Sequence, residues 1–283
     1  MKKLILVGIV FAALSTVNGV LAGEVASRMP VNAPIANAYN WTGFYLGANV
    51  GGGWDTRSVN FSANDPAAAA LFAANGRPSP ASFKSSGVLG GAQFGYNWQV
   101  NRRWLVGIET DFDWSGMKGS SSSAGIINVG PTAFSATVDE QIKWFGTVRA
   151  RLGYLPADNL LTYVTGGFAY GQVEHSGRYS ASGGVGFGAG GFSISCVVGA
   201  ATCLTGASNG TSIGWTAGAG LEYAVWKNVT FKVEYLYVNL GSRSVTETTL
   251  AIDNLFPGTP GSFNANYSDT SFNVARIGLN YRF

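Results

Sequence analysis

Beyond Trp41 the chain alternates apolar and polar residues with a period of two, the spacing of a β-strand with one greasy and one polar face. The last segment is clearest: Ala275, Ile277, Leu279, Tyr281 and Phe283 are apolar, while Arg276, Gly278, Asn280 and Arg282 fill the positions between them. The same alternation runs over Gly43 to Trp54, Ser86 to Val100, Trp104 to Lys118, Glu140 to Leu155, Leu160 to Gly177, Thr211 to Val225 and Val229 to Gly241. Eight strands are therefore predicted. Their connectors alternate in length: Asn101 to Arg103, Pro156 to Asn159 and Trp226 to Asn228 are short. Asp55 to Ser85, Gly119 to Asp139, Arg178 to Gly210 and Ser242 to Thr270 are long and rich in Gly, Ser, Ala and Asn.

In a soluble domain four structureless loops of that length would count against the strand assignment, but a transmembrane β-barrel has short turns on one side and long loops on the other. A strand of ~10 residues, rising ~3.3 Å each and tilted ~40°, covers the ~25 Å apolar band of such barrels. Lipid cannot hydrogen-bond an open sheet edge, so the strands must close on themselves. The expected fold is all-β: an eight-stranded antiparallel transmembrane β-barrel with four long extracellular loops and short periplasmic turns. A soluble sandwich would leave the apolar face of every strand in water.

The first residues supply the route. Met1 to Lys3 is a basic start, Leu4 to Leu14 an apolar stretch, and Val20-Leu21-Ala22 a small-residue cleavage site, which together predict a signal peptide over 1–22. Residues 23–40 read as a periplasmic tether and 41–283 as the barrel. Composition agrees: 46% of residues are hydrophobic and only 12% charged, with 40 glycines and 13% aromatics, whereas soluble domains carry roughly 25% charged residues. A net charge of +3 without a basic stripe excludes nucleic acid as a partner. Trp41, Trp98, Trp104, Trp114, Tyr154, Trp226 and Tyr281 are expected to form girdles at the membrane interfaces.

The polar face decides between a pore and a plug. An eight-stranded barrel is just wide enough for side chains to fill. The expected residents of the lumen are the acids Glu109, Asp111, Asp113, Glu222 and Glu234 and the bases Lys143, Arg149, Arg151, Lys232, Arg276 and Arg282. Such near-balance predicts an internal ion-pair network, since unpaired ions there would be costly to desolvate.

The segment Asn40-Trp41-Thr42-Gly43-Phe44-Tyr45-Leu46-Gly47-Ala48-Asn49-Val50-Gly51-Gly52 resembles the first-strand signature of the small outer-membrane β-barrel proteins of alphaproteobacteria, the porin-family surface antigens with an OmpA-like membrane domain. Tyr163 to Gly171 and Gly214 to Tyr223 fit the same family, and Tyr281-Arg282-Phe283 resembles the carboxy-terminal aromatic signal read by the barrel-assembly machinery. The resemblance implies a cell-envelope protein of a Gram-negative outer membrane, in contact with outer-membrane lipid and lipopolysaccharide, which supports envelope integrity and offers its loops to host or surface ligands. Alternatives are a narrow porin for ions or small solutes and a haemin-binding surface receptor. No catalytic motif is carried over, and no enzyme activity, cofactor or metal is expected.

Smaller signals are weighed beside these. Cys196 and Cys203, both in the third long loop of an exported chain, are expected to form a disulfide. Gly186-Phe187-Gly188-Ala189-Gly190-Gly191 matches a dinucleotide fingerprint in letters only, because no strand-turn-helix pattern surrounds it, and reads as a flexible loop. His175, the single histidine, reads as a barrel-rim residue, with haem contact or lipid hydrolysis as remoter roles.

Overall fold

The structure, a computed structural model, describes residues 39–64, 69, 81–127, 132–181, 186–189, 192–195, 204–249 and 262–283. The predicted signal peptide, most of the tether, and Cys196 with Cys203 lie outside the described residues.

Among the described residues the chain forms twelve strands: β1 (Gly43–Ala63), β2 (Ala81–Gln99), β3 (Trp104–Ile127), β4 (Thr132–Ala157), β5 (Leu160–Ala181), β6 (Gly186–Ala189), β7 (Phe192–Ser195), β8 (Leu204–Ala224), β9 (Val229–Asn239), β10 (Arg243–Thr249), β11 (Ser262–Tyr267) and β12 (Ser271–Arg282). Ten of them form one antiparallel sheet, and β6 pairs with β7 in a separate two-stranded one. The fingerprint-like glycines thus begin a short hairpin strand where a flexible loop was expected.

The sheet closes on itself. Toward the short-turn end the pairing runs β1-β12-β9-β8-β5-β4-β3-β2 and returns to β1. Further up, β11 takes over beside β1 and β10 pairs with both β11 and β8. Where eight strands were expected the sheet has ten, because two rails are interrupted side by side. The first break falls at Leu240–Ser242, where Gly241 takes a φ of 76°, a conformation that disfavours any side chain. The second falls at 268–270, and the two stay hydrogen-bonded through Leu240 N–H to Thr270 O at 2.8 Å and Thr270 N–H to Gly241 O at 2.6 Å.

Strands also reach well into the predicted loops. Ser120 to Ser123, expected in a loop, pair with Ala136 to Asp139. Ladder hydrogen bonds need only backbone, so polar and small residues extend the wall past the point where hydrophobic alternation ends.

The outer face is apolar in a band bounded by aromatic residues. Trp98, Trp104, Trp226 and Tyr281 project outward at the short-turn end, and Trp54, Trp114 and Trp215 do so at the other. Between them lie exposed Leu46, Phe94, Ile108, Val148, Val164, Leu221 and Ile277. From Trp104 to Trp114 the strand climbs ~25 Å at ~3.3 Å per residue and ~40° tilt, the height of a bilayer's apolar band. Beyond Trp54, Trp114 and Trp144 the outward residues turn polar: Thr56, Ser58, Lys84, Lys118, Ser120, Asp139 and Gln141. Trp41 does not belong to the girdle. It is 1% exposed, turned into the short-turn mouth of the barrel.

Glycine on one strand makes room for tyrosine on the next. Tyr45 lies opposite Gly95 and Tyr163 opposite Gly220, and a Cβ on either glycine would come within 2.5 Å of the facing tyrosine ring. These are ring-over-glycine pairs of the kind that fix strand register.

Candidate functional site: the filled lumen

Inward positions stack in layers from the short-turn end upward. Trp41, Leu105, Leu155, Leu161 and Tyr163 form the lowest. Trp41 Nε1 donates to Asp158 O at 3.0 Å, and the Tyr39 ring packs edge-on against Trp41 at 4.8 Å between centroids.

Above it lies a buried ionic layer. Alternation delivers Glu109, Asp111 and Asp113 from β3, Arg149 and Arg151 from β4, Glu222 from β8, Lys232 and Glu234 from β9, and Arg276 from β12, all buried. Arg149 contacts Glu109 at 2.5 Å, Asp111 at 2.7 Å and Glu234 at 3.0 Å. Arg276 contacts Asp111, Asp113 and Glu234, each at 2.6 Å. Lys232 Nζ lies 3.0 Å from Glu109, and Arg151 lies 2.7 Å from Glu222. Tyrosines complete the set: Tyr45 donates to Glu109 at 2.8 Å and Tyr163 to Glu234 at 2.9 Å, while Arg151 stacks 3.9 Å over the Tyr163 ring. Each carboxylate in this buried layer therefore faces a cation or a hydroxyl, the condition under which buried charge is tolerated.

Two expected members are absent from it. Lys143 sits at a β-bulge, the extra residue between Ile142 and Trp144 opposite β5. The bulge shifts the alternation by one, so Ile142 points inward and Lys143 outward, half-exposed and 3.1 Å from Glu174. Arg282 keeps the inward phase but lies at the mouth below the acids, its guanidinium 4.3 Å over the Tyr39 ring. Among the described residues it makes no ion pair.

Over the ionic layer lies an apolar septum that the charge pattern did not reveal. Leu89, Met117, Ile142, Phe145, Val173, Leu236, Val238, Phe272 and Val274 are buried together. Above this a second polar group appears: Arg57 bonds Asp55 at 2.5 Å, Glu140, and Thr270 at 3.1 Å, and His175 Nδ1 lies 3.4 Å from Glu140. Sequence reasoning placed Asp55 and Arg57 in a loop and His175 at the rim. The structure buries His175 to 1% exposure, with its ring 4.3 Å from that of Tyr267. Continuing the β1 alternation past Trp54 would have found Arg57; Glu140 was hidden by the bulge. Burial holds the Glu140 carboxyl up at about 7, against the opposing pull of Arg57. Val59, Phe61, Phe83, Val138, Val245 and Ala265 are buried higher still.

Chemically, the lumen is a stack of ion-paired layers and packed hydrocarbon. Among the described residues no group of His, Cys, Asp and Glu is arranged to hold a metal ion.

Comparison with known proteins gives a consistent result. The family described as outer membrane protein beta-barrel domain matches residues 25–283. The 31 kDa outer-membrane immunogenic protein of Brucella melitensis is 34% identical over 100% of both chains. The 22 kDa outer membrane protein of Rhizobium leguminosarum is 26% identical over 89% of this chain and 82% of its own. The crystal structure of OprG from Pseudomonas aeruginosa aligns with 87% of this chain and 99% of its own at 10% identity, with a TM-score of 0.40, too distant a likeness to argue from.

Proposed function

This chain belongs to the outer-membrane protein β-barrel family, and from that premise we propose that it is a sealed barrel of eight rails that reinforces the envelope and carries four long loops outside the cell. Its location is the outer membrane, as for the Brucella and Rhizobium relatives. In this reading β9 with β10 and β11 with β12 each count as one interrupted rail, the short turns face the periplasm, and Tyr281 with Phe283 serve barrel assembly.

The observation that carries the proposal is the septum of Phe145, Phe272, Met117 and their neighbours directly over the ionic layer. A conducting lumen needs a wetted path, and here hydrocarbon closes the path above the paired charges while Trp41 closes it below. The same packing makes the barrel stiff, a suitable support for exposed loops on a rigid scaffold. Its partners are outer-membrane lipid, the barrel-assembly machinery and surface ligands of the loops, and no catalytic role is assigned.

The test is complementation of a deletion strain. Loss of the protein should sensitise cells to bile salts, and both the full chain and a version with residues 65–80 and 250–261 shortened should restore resistance. Only the full chain should keep the surface epitopes seen on intact cells. Unchanged detergent resistance in the deletion strain would remove the envelope role.

A further inference from the structure

The outer wall just above the aromatic girdle carries a feature that the sealed lumen does not use. β2 and β3 place Lys84 and Lys118 on it: Lys118 pairs with Ser86, and Lys84 lies two residues before Ser86 on β2, which makes the two lysines diagonal neighbours. Both are exposed, and among the described residues neither Nζ has an ion pair or hydrogen bond. They line an open hollow of about 710 Å3 that continues across Gln141, Glu174 and Asn209.

The local carboxylates do not neutralise this pair. Glu174 is taken by Lys143 at 3.1 Å and by Asn209 at 3.2 Å. Asp139 stands exposed on the next row up, with no cation within salt-bridge distance among the described residues. Immediately below, Trp144 Nε1 donates to Gln172 at 2.7 Å, the pose of an interfacial tryptophan whose polar edge meets the headgroups. The lysines therefore stand at headgroup height, with Lys118 four residues beyond Trp114 on β3.

We propose that Lys84 and Lys118 form a binding site on the outer wall for a phosphate of an outer-leaflet glycolipid, with the Trp114 and Trp144 surface below them receiving its acyl chains. Two ammonium groups without a partner among the described residues, on a concave polar wall joined to an apolar one, match an amphiphile with an anionic head. A lysine near such a surface contributes about fivefold in affinity. This rests on the transmembrane reading above, but its test is separate.

Refolded full-length protein in micelles is titrated with diphosphoryl lipid A, and the change in tryptophan fluorescence is followed. Saturable binding should weaken about twentyfold in K84Q/K118Q and recover in K84R/K118R, while R102Q/K227Q at the short-turn end should bind as the parent does. Fully dephosphorylated lipid A should bind the parent no better than K84Q/K118Q does. Equal binding by parent and K84Q/K118Q would overturn the site. Displacement of the lipid by millimolar inorganic phosphate would reassign it to the free ion and equally overturn the proposal. All variants should retain the heat-modifiable gel shift of a folded barrel, which separates failure of this site from failure of the barrel reading.

Discussion

Phe145 of β4 and Phe272 of β12 meet edge to face inside the barrel, their ring centroids 5.2 Å apart at 73°. The two strands are not neighbours in the sheet, so the contact crosses the lumen and ties opposite walls together. Phe272→Ala should cost about 3–5 kcal/mol, the range for an aromatic removed from a packed interior. The urea midpoint of the heat-modifiable folded band is the readout, and a loss under ~1 kcal/mol would mean that the septum is loosely packed.

Arg276 holds Asp111, Asp113 and Glu234 together. Arg276→Met leaves three buried carboxylates short of a partner, so a loss of about 3–5 kcal/mol is expected from breaking a buried ion pair on one side. A double change, Arg276→Met with Glu234→Gln, should recover part of that loss in the same urea titration.

Glu140 lies above Trp144, outside the apolar band, where burial raises its carboxyl to about 7 from an ordinary 4.5. The folded state therefore binds a proton that the unfolded chain releases between those two values. Linkage fixes the sign: this group's stabilising contribution is complete below pH 4.5 and is lost as pH rises through about 7. Arg57, Asp55 and His175 surround it, so the comparison must be internal. The parent's urea midpoint should fall between pH 4.5 and 8 by more than that of Glu140→Gln; parallel slopes would contradict the assignment.

Gly95 faces Tyr45 so closely that an added Cβ would lie 2.3 Å from its hydroxyl oxygen and 2.7 Å from Ile108 O. Gly95→Ala must displace the ring that donates to Glu109, at a cost of about 1–3 kcal/mol for overpacking. Gly90→Ala, on the outward face of the same strand, has its nearest atom at 3.3 Å and should cost less than half as much by urea titration.

What the chain disclosed follows from where the physics is local. Outward faces such as Ile277 and Leu279 opposite Arg276 and Gly278 were legible because lipid demands one apolar side, and period two reports it directly. Most of the ionic layer followed from the same phase. Lys143 was misplaced because a bulge is a single inserted residue that leaves no mark in composition. The septum was missed for a different reason: with Leu236 between Tyr235 and Tyr237, and Phe272 beside Val274, apolar residues occupy both phases or the inward one, and alternation no longer separates lumen from lipid. Strand ends were underestimated because the wall continues on backbone hydrogen bonds through Ser120 to Ser123.

Single-channel recording of the refolded full-length protein in planar bilayers tests the sealed lumen most directly. The packing of Phe145 and Phe272 over the Arg276 layer predicts a silent membrane even when gel mobility shows every molecule folded and inserted. Reproducible unitary steps whose size changes in Glu234→Gln would show ions passing through the ionic layer, and would contradict a barrel closed by its own side chains.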